Sequence, residues 1–139
     1  MKIEYKISKS ISKESIKSLY EDAEWSAYTK DMDKLYRAIQ NSDIVITAWE
    51  GEKLLGLIRT ISDRETILYI QDVLVLKDYK RMGIGKELMN RILNSYTDIR
   101  QILLITDTQD EVSNSFYESI NFKVSKKEKT TLYYKNRIN

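Results

Sequence analysis

The stretch Val73–Leu93, "VLVLKDYKRMGIGKELMNRIL", joins two incompatible periodicities across a pair of glycines. Val73–Leu76 is a short apolar run of the kind a buried strand carries. From Ile84 onward the apolar residues recur every four positions as Ile84, Leu88, Ile92 and Tyr96, and Met89 and Leu93 widen the stripe into a helix face. Gly83 and Gly85 stand between the two. A strand that ends in a tight turn and restarts as a helix leaves the first helical amides without intrahelical acceptors. That place suits an anion, a pyrophosphate best of all. Arg81 and Lys86 add positive charge at its edge. Taken alone, two glycines so spaced are better explained by a tight strand–helix turn with no ligand.

Two nucleotide motifs fail on inspection. A mononucleotide P-loop needs glycine where Lys80 stands and a hydroxyl where Glu87 stands; a dinucleotide fingerprint needs a third glycine where Leu88 stands.

Working outward, "KIEYKIS" (Lys2–Ser8) alternates like a half-buried strand. Ile16, Leu19, Tyr20 and Ala23 share one helical face; Met32, Leu35, Tyr36 and Ile39 share another, ended by Ser42 and Asp43. "IVITAWE" and "KLLGLIRTI" read as a hairpin joined at Glu50–Gly51–Glu52. A turn near Asp63–Arg64–Glu65 leads into a long strand, "TILYIQDVLVL". After the glycine turn and its helix, "ILLIT" (Ile102–Thr106) reads as a fully buried strand. "DEVSNSFYESI" reads as a helix with Val112, Phe116 and Ile120 on one face, and "FKVSKKEKTTLYYK" as a closing hairpin. The order is β, α, α, β, β, β, α, β, α, β, β. The strand–helix–strand unit between Thr66 and Thr106 requires a crossover, so its two strands run parallel, while the hairpins make the rest antiparallel. The fold class is therefore mixed α/β (α+β): one domain over residues 1–139, with a largely antiparallel twisted sheet flanked by about four helices.

Composition narrows the chemistry. The 139 residues are 42% hydrophobic and 32% charged, the profile of a globular chain with a real core. Cysteine and histidine are both absent. Disulfides, thiolate metal sites, histidine zinc motifs and Ser–His or Cys–His nucleophiles are thereby excluded, so no metal is expected. A formal net charge of +2 does not argue for nucleic acid, and no basic stripe interleaved with aromatics stands out. No eighteen-residue apolar run and no signal-like segment is present, so a cytoplasmic chain away from membranes is expected.

The glycine turn resembles motif A of the GNAT superfamily of acyl-CoA-dependent N-acyltransferases. The match runs from Val75-Leu76-Lys77 through Lys80-Arg81-Met82-Gly83-Ile84-Gly85 into a helix. Lys77 stands where proline is usual in that family, and Lys80 where Gln or Arg is usual. "FYESINF" (Phe116–Phe122) resembles the family's late FYE-x-x-GF segment, with Asn121 in place of glycine; Asn tolerates the left-handed conformation a helix end can require. "AWEGEKLLGLIR" is similar to the strand pair that precedes motif A, and "YEDAEWSAYT" and "YIQDVLV" resemble a bacterial subgroup.

The resemblance implies acetyl-CoA as co-substrate and a primary amine, on a small molecule or peptide, as acceptor. It implies that the amides of Arg81, Met82, Gly83, Ile84, Gly85 and Lys86 hold the pyrophosphate. It further implies that the backbone of Val73, Leu74 and Val75 pairs with the pantetheine arm on a strand that bulges and splays from its parallel neighbour. Tyr117 falls at the position of the family's general acid. Asp72 is the candidate base, because it interrupts an apolar strand where a buried carboxylate is costly unless paired; the competing reading is a structural acid paired with Arg59. Trp25 and Tyr28 are expected to line the acceptor site, with Glu24 and Asp31 beside them. A non-catalytic CoA-binding module of the same fold is the alternative function. The C-terminal "TTLYYK", read as a strand, leaves a homodimer open.

Overall fold

A computed structural model describes residues 2–137. The chain divides into two units, Met1–Leu104 and Ile105–Asn139. In the first unit, five strands form one sheet in the order β1-β2-β3-β4-β5: β1 (Glu4–Ile7), β2 (Val45–Glu50), β3 (Lys53–Ser62), β4 (Ile67–Val75) and β5 (Gln101–Leu104). The first four pair antiparallel and β4–β5 is parallel. The crossover between β4 and β5 is the helix α4 (Ile84–Ser95), as the glycine turn requires.

Helices α1 (Lys13–Asp22), α2 (Ser26–Thr29) and α3 (Met32–Gln40) lie between β1 and β2. Ser12 caps α1 by accepting the Ser15 amide, and Asp31 caps α3 by accepting that of Lys34. The stripes read from the sequence face the core, with Ala23, Met32 and Tyr36 only partly buried. Ile16, Leu19 and Tyr20 of α1 join Leu35 and Ile39 of α3 in one core with Val45, Leu57 and Leu74 of the sheet. On α4 the buried residues are Ile84, Leu88, Met89 and Ile92, and this helix packs on β2, β3 and β4. Strand β3 is buried from Leu54 to Thr60 without a break, because helices cover both of its faces.

Gly56 sets how closely α4 approaches β3. A Cβ there would lie 3.0 Å from the Leu74 carbonyl oxygen, 3.2 Å from Ile84 Cγ2 and 3.4 Å from Leu88 Cδ1. Gly56→Ala is expected to cost about 1–3 kcal/mol by overpacking. The check is a lower denaturant midpoint at unchanged m-value.

The decisive irregularity is in β4. Arg59 pairs with Asp72 but Thr60 pairs with Ile70, so Gln71 is the extra residue of a β-bulge. Neighbouring residues of β3 point to opposite faces, and their partners must as well. Ile70 therefore faces the α4 side and Asp72 the α1–α2 side, although a regular strand would put both on one face.

Two strand assignments need correcting. "ILLIT" is not fully buried: Ile102, Leu103 and Leu104 are half-buried, because β5 is the last strand of the sheet. The closing hairpin does not form. In the second unit Ser125–Glu128 makes a 3-10 turn, closed by the Thr130 amide on the Ser125 carbonyl at 3.1 Å, but no strand flanks it. Val124, Leu132, Tyr133 and Tyr134 stay exposed, so the flanks have no buried apolar face, and a two-stranded ribbon is marginal without one. The helix α5 (Glu111–Ser119) does form, capped by Asp110. Val112, expected on its apolar face, is 72% exposed. Asn121 adopts φ +71°; its amide and that of Phe122 return to the carbonyls of Glu118 and Tyr117 at 3.1 and 3.0 Å. This Schellman closure is what lets asparagine serve where glycine is usual.

Candidate active site

Beyond Val75 the chain makes a 3-10 turn, Lys77–Tyr79, and then the glycine loop. The Lys77 amide donates to Asp22 Oδ2 at 2.8 Å, a bond proline could not make, and its Nζ lies 3.2 Å from Glu24 Oε2. Lysine at this position thus ties the loop entrance to the end of α1. Arg81 and Gly83 both take positive φ, +68° and +79°, which turns the backbone sharply into α4. The first amide bond of the helix is Glu87 N–H to the Gly83 carbonyl at 3.0 Å. Among the described residues, the amides from Arg81 to Lys86 meet no protein acceptor, so they stand as a row of donors at the positive end of a helix dipole. Glu87, whose charge would oppose an anion there, is drawn to Arg91 at 2.7 Å.

Strand β4 outruns β5. Their pairing covers Ile67–Ile70 against Gln101–Leu104, and β4 continues through Gln71–Val75 with no β5 residue opposite. Val73, Leu74 and Val75 pair with Ile58, Leu57 and Gly56 on the β3 side. Among the described residues, their backbone is thus paired with β3 on one edge and with no β5 residue on the other.

Asp72 is 3% exposed and Arg59 is 5% exposed. Arg59 Nε donates to Asp72 Oδ2 at 2.5 Å, and the Tyr20 hydroxyl donates to the same oxygen at 2.9 Å. The Tyr28 hydroxyl donates to Asp72 Oδ1 at 3.0 Å. It accepts in turn from Gln71 Nε2 at 2.8 Å and, more weakly, from Arg59 Nη2 at 3.4 Å. Arg59 Nη1 reaches Ser42 Oγ at 3.3 Å. Burial, reinforced by the Asp72 charge, pushes the Tyr20 phenol well above its ordinary value and raises that of Tyr28. Burial opposes the Arg59 cation, but Asp72 outweighs it and raises the guanidinium above its ordinary range. Both phenols are thus neutral donors and Arg59 is a permanent cation. The Trp25 ring packs 5.9 Å from Tyr20 and 6.1 Å from Tyr28, half-buried at the start of α2.

The structure brings Asp72 and Tyr28 into direct contact, with Trp25 against Tyr28. Glu24 is turned to Lys77, and Asp31 to the α3 amides. In the second unit, the half-buried Tyr117 ring lies 5.4 Å from Phe116 and 6.0 Å from Phe122. Tyr20 and Gln71 were not singled out from the sequence. Tyr20 is indistinguishable there from an ordinary core residue. The polar pair Gln71-Asp72 inside an apolar strand was the available sign of the bulge.

A parallel strand pair that ends short of Val73–Val75 thus meets a row of unpaired amides at the start of α4. The chain belongs to the GNAT family: residues 7–132 match its acetyltransferase (GNAT) domain. It is 31% identical over 121 residues, 87% of this chain and 50% of the relative, to GCN5-related N-acetyltransferase 3, chloroplastic, of Arabidopsis thaliana. A GNAT family acetyltransferase of Streptococcus pneumoniae TIGR4 superposes with a TM-score of 0.82 at 29% identity, covering 99% of this chain and 100% of that one. An aminoglycoside acetyltransferase from an uncultured soil metagenomic sample, solved with sisomicin, shares the fold with a TM-score of 0.67 at 22% identity, over 98% and 96% of the two chains. The chain spans about half the length of the curated relatives it matches. No helix among the described residues is long and apolar enough to cross a membrane.

Proposed function

We propose that this chain transfers an acetyl group from acetyl-CoA to a primary amine of a small molecule or peptide by direct attack on the thioester. The observation that carries this reading is the junction of two features: the unpaired amides of Arg81–Lys86, and a strand end, Val73–Val75, with one edge unpaired by β5. The first suits a pyrophosphate and the second an extended amide-bearing arm. An amide of Val73–Val75 would then polarise the thioester carbonyl. We read residues 1–139 as one acetyltransferase domain, because the family match over residues 7–132 runs through both units, and propose a cytoplasmic location for it. The C-terminal "TTLYYK" is not a strand, and solution mass tests for a homodimer.

Asp72 is assigned here as a structural acid. Its Oδ2 holds two donors, its Oδ1 holds Tyr28, and its side chain is buried, so no amine reaches it without displacing Tyr28. Neutralising a lysine-like amine at pH 7 costs roughly 4–5 kcal/mol, which leaves water or a dry acceptor pocket to offset that cost. Trp25 and Tyr28 flank the acceptor with their rings, the Tyr28 hydroxyl being engaged within the protein. Tyr117 is assigned as the hydrogen-bond donor to the leaving thiolate. Full proton transfer from a phenol to a thiolate is uphill by about 2 kcal/mol, so hydrogen bonding carries most of the effect.

Steady release of free CoA thiol with a panel of primary amines tests the reading; binding of acetyl-CoA with no thiol release above hydrolysis for any amine would leave only a CoA-binding module. Tyr117→Phe is expected to lower kcat by about 10²-fold at unchanged acetyl-CoA affinity. Unchanged turnover in that variant would remove Tyr117 from the mechanism.

A further inference from the structure

We infer that Tyr28 and Gln71, seated on the Arg59–Asp72 pair, are positioning residues that hold the β4 bulge and with it the backbone of Val73–Val75. This rests on the acetyl-transfer reading, in which that backbone meets the thioester.

A bulge residue has no partner in the strand ladder, so something else must fix it. Gln71 is fixed through its side chain: Nε2 donates to the Tyr28 oxygen at 2.8 Å. Tyr28 passes the bond on to Asp72 at 3.0 Å, and Asp72 is fastened to β3 by Arg59 and to α1 by Tyr20. Two adjacent residues of β4 are thus bolted to three elements through one phenol and one carboxylate. No buried side-chain nitrogen or oxygen among the described residues lacks a partner, so the cluster has no slack to absorb the loss of a bond.

The position matters because the bulge reverses the face of β4 between Ile70 and Asp72 and so sets how the next amides point. Those next residues, Val73–Val75, lie where β5 has ended and cannot correct them. Misplacement of a reacting group by an ångström costs on the order of 10²-fold in rate. Short α2 buries no residue fully, so the Tyr28 bonds are also its principal polar anchor to the sheet.

The test is Tyr28→Phe, which keeps the ring against Tyr20 and Trp25 and removes only the hydroxyl. Gln71→Leu attacks the same bond from the other side. Each is expected to lower kcat at least about tenfold, with KM for the amine within about twofold; Kd for CoA rises by a smaller factor than kcat falls, since the cradle at Arg81–Lys86 is untouched while the backbone of Val73–Val75 loosens. The double variant is expected to be no worse than Tyr28→Phe alone, because losing the Tyr28 hydroxyl already removes the Gln71 bond. Amide hydrogen exchange is expected to rise about tenfold at Gln71–Val75 and to stay unchanged at Ile67–Ile70.

A folded Tyr28→Phe protein with wild-type kcat and unchanged exchange at Gln71–Val75 overturns the inference. So does a lower Tm with unchanged kcat per folded molecule, or a raised amine KM with unchanged kcat. If the wild type acetylates no amine, the functional reading fails separately. The exchange pattern then decides alone: lost protection at Gln71–Val75 upholds the clamp on the bulge, and unaltered protection overturns it.

Discussion

Asp72→Ala is expected to destabilise the fold by about 3–5 kcal/mol, the cost of leaving a buried charge without its partner. Arg59 would keep its cation in a site where it is 5% exposed, with only Ser42 and Tyr28 among the described residues within reach, both at long range. The Tyr20 and Tyr28 hydroxyls would lose their acceptor as well. For a chain of this size the drop corresponds to a Tm lower by roughly 10–20 °C. The double variant Arg59→Met with Asp72→Leu discriminates the cause. It removes both charges at similar volume and is expected to recover most of the loss, because the pair itself gains little over apolar packing. Equal destabilisation in the single and double variants would show that hydrogen bonds to the tyrosines, not the unpaired charge, dominate.

The second large effect is on ligand response. Gly83 holds φ +79°, and a Cβ added there meets no protein atom within 4 Å. Gly83→Val is therefore expected to fold, at a cost of about 1–2 kcal/mol for left-handed backbone, more for a β-branched side chain. What it would obstruct is the space in front of the amide row. At a hundredfold excess over Kd, acetyl-CoA is expected to stabilise the wild type by about 2.7 kcal/mol, a Tm rise of roughly 10 °C. In Gly83→Val the rise is expected to fall below about 2 °C under the same conditions. A full rise in this variant would move the pyrophosphate away from Arg81–Lys86.

The two experiments separate the two halves of the candidate site. The Asp72 result reads the polar core under β4, and the Gly83 result reads the loop at its end. Neither depends on knowing the acceptor amine.

The glycine turn was legible because its information is local. Periodicity on either side, two residues without side chains, and nearby cations already specify a strand, a turn and a helix with open amides. The helix faces of α1, α3 and α4 were legible for the same reason: a stripe recurs at 3.6 residues whether or not its partner is known. Even Asn121 could be read, since its tolerance of positive φ is a property of the residue itself.

What could not be read were relations between distant segments. Asp72 alone is either a base or a structural acid. Tyr20 and Tyr28, some fifty and forty-four residues earlier, settle its surroundings only once the α1–α2 segment is laid on the sheet. The bulge at Gln71 decides this, because a strand with period two would have aimed Asp72 at α4 instead. The closing hairpin failed in the converse way: the local turn formed, but a strand pair needs an apolar face to cover, and Val124, Leu132 and Tyr133 are exposed. Sequence alone determined the strand, the glycine turn and the helix with open amides, since these depend on conformation that neighbours in the chain dictate, and the resemblance of its motifs pointed to the class of chemistry. Tertiary structure decided what surrounds Asp72, the buried carboxylate among the described residues, since the setting of a charge in a low-dielectric core is defined by whatever the fold brings to it.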